Sequence, residues 1–132
     1  MGAIENKALV QDAFAKWSRG DGGGGFFALL ADDVHWTVIG STPVSRTYTS
    51  KRAFQEGAVQ PLGERLSGAI QPTVRDIIAD GDKVALQWEG RATGKNGTLY
   101  HQTYCWVMRF EGGKVREGTA YLDTELITQL WK

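Results

Sequence analysis

The chain has 132 residues, 42 % of them apolar and 23 % charged, with 15 acidic and 15 basic side chains and a formal net charge of zero. That length matches one globular domain, residues 1–132, able to bury roughly two-thirds of its unfolded surface. Zero net charge without a basic stripe argues against nucleic-acid binding, and no stretch approaches the ~20 apolar residues of a membrane span. No signal-peptide core opens the chain, so the expected location is cytoplasmic.

Residues 4–19 carry Val10, Ala13, Phe14 and Trp17 as a helical stripe, stopped by Gly20-Asp21. The glycines Gly22 to Gly25 follow a helix and lack a correctly placed Lys or Ser/Thr, so they read as a connector rather than a phosphate loop. A short second helix spans Phe26 to Leu30. Val34 to Ile39 forms a first strand, Gly40 to Thr49 a loop, and Ser50 caps a third helix through Ala53, Phe54 and Ala58, kinked or restarted by Pro61. From residue 69 the chain turns to strands: 70–78, 83–93, 98–110 and 114–122. Asp80-Gly81, Asn96-Gly97 and Glu111-Gly112-Gly113 separate them as hairpin signals. Asn96-Gly97-Thr98 therefore reads as a turn rather than a glycosylation site. Asp123 caps a last helix, Thr124–Trp131. Cys105, the single cysteine, lies in the apolar run Tyr104–Met108 and reads as a core residue.

Hairpin loop length sets register and therefore side-chain facing. Two-residue turns at Asn96-Gly97 and Asp80-Gly81 bring Glu89 level with Tyr104 and Pro72, and Gln87 level with Trp106 and Val74. A three-residue loop at Glu111–Gly113 pairs Tyr104 with Ala120 and Trp106 with Gly118; a two-residue Gly112-Gly113 turn reverses that last face. On this register one face holds Val74, Gln87, Glu89, Gln102, Tyr104 and Trp106, with Gly118, Ala120 and Leu122 leaving room beside them. The other face holds Leu86, Trp88, Cys105 and Val107 and suits a subunit interface. Alternation along the Glu89 strand supports the opposite reading, in which Lys83, Gln87, Glu89 and Arg91 point to solvent.

Gly20-Asp21, Ala31-Asp32-Asp33-Val34-His35-Trp36, Gly90-Arg91-Ala92-Thr93-Gly94, Arg109–Val115 and Tyr121-Leu122-Asp123-Thr124 resemble the SnoaL-like branch of the nuclear transport factor 2/ketosteroid isomerase-like superfamily. The resemblance implies an α+β cone: a curved antiparallel sheet wrapped on three N-terminal helices around an apolar cavity. It also implies a homodimer and no metal or organic cofactor. Carried over residue by residue, the steroid isomerases' basic Asp falls at Thr37, their helix-borne Tyr near Ala13 and Phe14, and their neutral Asp at Trp106. The cyclase and hydrolase Asp on the last strand falls at Ala120, and the hydrolase Arg-x-Asp pair at Gln87 and Glu89. Only one acid survives.

The expected site therefore centres on Glu89 as acid or base, with His35, which shares a strand face with Thr37, as its partner or substitute. Tyr104 and Trp106 are expected to donate hydrogen bonds. Gln87, Gln102, Thr37, Phe14, Trp17, Val74, Ala120 and Leu122 are expected to line the pocket around a small hydrophobic molecule. Two function classes follow. One is a cofactor-independent acid/base enzyme (isomerase, cyclase, dehydratase or epoxide hydrolase in type), and the other a non-catalytic binding module of the same fold. Two histidines on different strands and one cysteine do not make a metal site.

Overall fold

The computed structural model describes residues 2–132. Helix α1 (Ala3–Lys16) buries Asn6, Val10, Ala13 and Phe14 on one side, then widens into a single loose turn, Trp17–Asp21. Gly20 ends it with φ +104°, a backbone state that a side chain would strain. α2 (Gly24–Phe27), β1 (Leu30–Val38) and β2 (Arg46–Tyr48) follow. The segment expected as loop thus contains a short strand, which folds back on β1 with Tyr48 opposite Trp36.

α3 (Lys51–Phe54) is capped by Ser50, whose Oγ accepts from Ala53 N at 3.0 Å. A wide turn, Gln55–Val59, joins it to α4 (Gln60–Glu64). Pro61 has no N–H to offer the Gly57 carbonyl, and the Tyr48 hydroxyl, which donates to Val44 O at 2.7 Å, lies 3.2 Å from that oxygen as a second, longer contact. The expected meander is present as β3 (Gln71–Asp80), β4 (Lys83–Thr93), β5 (Leu99–Glu111) and β6 (Lys114–Leu122), closed by α5 (Thr124–Leu130). The sheet order is β2-β1-β6-β5-β4-β3, with β1 parallel to β6. One curved six-stranded sheet therefore wraps over the helices, as the α+β expectation required.

The registers differ from those expected, and each difference has a local cause. At Asn96-Gly97 the loop holds three residues: Gly94 N donates to Thr98 O at 2.7 Å and Gly97 takes φ +89°. That one extra residue places Trp88, not Glu89, opposite Tyr104, and Leu86, not Gln87, opposite Trp106. The first hairpin turns at Gly81-Asp82, and a bulge at Arg75 then sets Thr73 opposite Glu89 and Val74 opposite Trp88. The last hairpin uses the two-residue Gly112-Gly113 turn. An irregularity beside Arg109 and Phe110 then restores the expected facing, so Trp106 meets Ala120 and Tyr104 meets Leu122.

The buried face is dominated by Trp36, Trp88, Tyr100, Tyr104 and Trp106 against Phe14 and Phe26. Gly118 does not leave cavity space: a Cβ there would sit 2.3 Å from the Trp36 ring, so its missing side chain is what lets Trp36 lie across β6.

Candidate functional site

A cavity of about 210 Å³ opens between the inner sheet face and the helices. Trp36, Trp88, Tyr104, Trp106 and Ala120 form its floor, and Phe54, Ala58 and Leu62 its roof. Gly22 and residues 68–70 stand at one side, where Trp17 Nε1 donates to Ile70 O at 3.1 Å. Among the described residues, no Asp, Glu, Lys, Arg or His lines it.

The polar atoms of the wall are hydroxyl and indole groups. Tyr100 and Tyr104, four residues apart on β5 and so on the same face, bring their hydroxyl oxygens to 2.7 Å. Burial pushes both phenols up, Tyr104 well above its usual range, so both are protonated at neutral pH. Trp88 stacks on Tyr104 with centroids 4.2 Å apart and planes 12° from parallel. The Trp88 and Trp106 indole N–H groups are buried without an acceptor among the described residues. Behind this layer lies Gln102, 1 % exposed. Its Oε1 accepts from Asp123 N at 2.7 Å and its Nε2 donates to Asp123 O at 2.8 Å, pinning the start of α5 to β5.

Of the residues expected to line the pocket, Tyr104, Trp106, Trp17, Ala120 and Leu122 do so. Phe14 packs behind Trp106 and Trp88, and Gln102 supports Tyr100; neither lines the cavity. The remaining expectations are corrected. Glu89 lies on the outer sheet face, where the Arg75 guanidinium beside it holds its carboxyl below the usual range. Gln87 is exposed on that face, and Val74 sits on edge strand β3 against α1. His35 is exposed and Thr37 half-buried, because β1 turns Val34, Trp36 and Val38 inward. Thr37 shares a 2.8 Å hydrogen bond with Thr47. Leu86 and Trp88, expected at an outer interface, are core residues.

Sequence reasoning passed over Tyr100, Trp36 and Phe54. The spacing of Tyr100 from Tyr104 was the available signal for the first. Trp36 and Phe54, which stack at 5.2 Å, meet only through the tertiary fold.

A family model described as a SnoaL-like domain matches residues 10–118. No curated protein matches the chain. Among solved structures, an NTF2-like protein from Burkholderia thailandensis is 23 % identical, covers 96 % of this chain and 97 % of its own, and superposes with a TM-score of 0.80. Bal32a, from a soil-derived mobile gene cassette, is 18 % identical over 98 % of both chains with a TM-score of 0.82. TerC, co-crystallised with polyporic acid, is 19 % identical over 96 % and 97 %, with a TM-score of 0.77. These likenesses concern the fold.

Proposed function

The chain belongs to the SnoaL-like family of the nuclear transport factor 2/ketosteroid isomerase-like superfamily, and from that premise we propose that it holds one small, uncharged, largely apolar molecule in its cavity. The observation that carries this reading is the wall, which contains aromatic and aliphatic side chains and no ionised group. A charged ligand would lose its hydration there without gaining a counter-charge. A dry cavity of about 150 Å³ is known to accept benzene. At about 210 Å³ this one suits one or two rings.

Titration with naphthalene, followed by the shifts of the indole N–H signals, tests the reading. Saturable one-to-one binding is expected. Ala58→Leu, which extends a roof residue into the cavity, should abolish it while the circular dichroism spectrum is kept. Failure of the wild-type chain to bind naphthalene or indanone saturably would overturn the reading.

Cofactor-independent turnover in the same cavity is the second reading, favoured by the coupled hydroxyls of Tyr100 and Tyr104. Such an enzyme would polarise its substrate through a phenol. Glu89 and His35 face away from the cavity and would be silent. Activity that survives Glu89→Gln and His35→Ala but not Tyr104→Phe is the expected pattern.

A homodimer through the outer sheet face is proposed as well. Ile78, Ala85 and Val107 form a row across three adjacent strands, with Val107 37 % and nearby Tyr121 47 % exposed. The ion pairs Arg75–Glu89 and Arg109–Glu117 flank it. A face carrying both signs of charge around an apolar row can oppose its own copy. Light scattering should give the dimer mass for the wild type and the monomer mass for Val107→Glu.

A further inference from the structure

The polarity of the Gln102–Tyr100–Tyr104 chain follows from counting its protons. Gln102 Oε1 accepts from the backbone N–H groups of Asp123 at 2.7 Å and Thr103 at 3.0 Å, which can only donate. That fixes the amide orientation, with Nε2 as the donor end. Nε2 donates to Asp123 O and lies 3.5 Å from the Tyr100 hydroxyl oxygen, so Tyr100 meets a donor on that side. The Tyr100 proton then has one acceptor in reach, the Tyr104 oxygen at 2.7 Å. Tyr100 is fully buried, and a proton turned elsewhere would lose its partner.

Tyr104 therefore accepts from Tyr100 and keeps its own proton for another acceptor. Among the described residues its hydroxyl has no other hydrogen bond. Stacking on Trp88 holds the ring in place at the cavity floor.

We propose that Tyr104 donates this proton to an oxygen of the ligand, and that the ligand is a neutral one- or two-ring carbonyl compound. The inference rests on the reading of the cavity as a ligand site. The wall's remaining unpaired groups narrow the chemistry further. Trp88 and Trp106 offer N–H donors without acceptors, so the unmatched buried side-chain groups of the wall, among the described residues, are donors. A carbonyl oxygen, with two lone pairs and no proton, answers such a wall. An alcohol or phenol brings a proton that none of these three donors can accept while donating its own, and a carboxylate brings a charge without a cation.

Indanone and indane, matched in shape and differing by one carbonyl, are the probes. Their dissociation constants are measured by the same indole N–H titration on the wild type, Tyr104→Phe and Tyr100→Phe. Tyr104→Phe should weaken indanone by about 3- to 12-fold and leave indane unchanged. Tyr100→Phe should leave indanone still favoured by Tyr104, which keeps its own proton. Loss of the indanone effect in Tyr100→Phe but not in Tyr104→Phe would reverse the chain's polarity and overturn the proposal. Equal changes for both probes in Tyr104→Phe would also overturn it, while leaving the cavity reading standing. Absence of binding by either probe to the wild type would remove the cavity reading itself. The infrared C=O stretch of indanone bound to the wild-type chain needs no variant: a shift below its value in hexane is expected, and an unshifted band overturns the proposal.

Discussion

Strand β4 presents two chemistries from one run of backbone. Its inner side chains, Val84, Leu86 and Trp88, are at most 1 % exposed and packed among aromatic rings. Its outer ones, Lys83, Gln87, Glu89 and Arg91, stand in or near solvent. Inside, a polar atom survives only if it is uncharged, and a missing partner matters. Outside, Glu89 is ionised, paired with Arg75, and electrostatically inexpensive because water screens it. A carboxylate on such a strand is therefore evidence of the side it faces before it is evidence of catalysis.

The sharpest way to break the contrast is to truncate one apolar side chain on each face. Trp88→Ala should cost about 3–5 kcal/mol in urea unfolding. Val107→Ala, at a position 37 % exposed on the outer face of the single chain, should cost far less, within about 0.5 kcal/mol when measured at a dilution that keeps the chain monomeric. Next in size is Gly118→Val, which forces a side chain toward the Trp36 ring and should cost about 1–3 kcal/mol by the same measurement.

The pH dependence of stability separates the faces by sign. Tyr100 and Tyr104 have folded values raised above about 10, the value of a free phenol. The folded state therefore holds protons that the unfolded chain releases. Stability should be intact below about pH 10 and fall as pH rises beyond it, less steeply in Tyr104→Phe, as thermal melts would show. Glu89 behaves oppositely. Its folded value is lowered, chiefly by the hydrogen bond from Arg75, so its small contribution is present above the usual carboxylate range and fades as pH falls. The smallest expected effect is that of Glu89→Gln on the cavity: indanone affinity should not change, by titration at neutral pH.

Much of the architecture was legible. The α1 stripe, the Ser50 and Asp123 caps and the four-strand meander all follow from periodicity and turn residues, which are local properties. β2 was not legible, since Arg46–Tyr48 has no strand pattern of its own and is held by pairing with β1. In the site, Tyr104, Trp106, Ala120 and Leu122 were found because the parity of β5 and β6 was right. Glu89 and Gln87 were misplaced because one loop residue changes that parity, and Asn-Gly is compatible with both two- and three-residue loops. Val74 does share the inner face with Trp88, but on edge strand β3 it meets α1 rather than the cavity. The alternation within β4 itself pointed the correct way.

Composition, periodicity and caps determined by themselves that this is an α+β chain with an aromatic core and a curved sheet, because each depends on neighbours a few residues apart. Which side of β4 meets the core, and so whether Glu89 or Trp88 faces the cavity, was decided only by tertiary structure. Side chains on a strand alternate with a period of two, and a single residue added at a turn or a bulge reverses every facing beyond it.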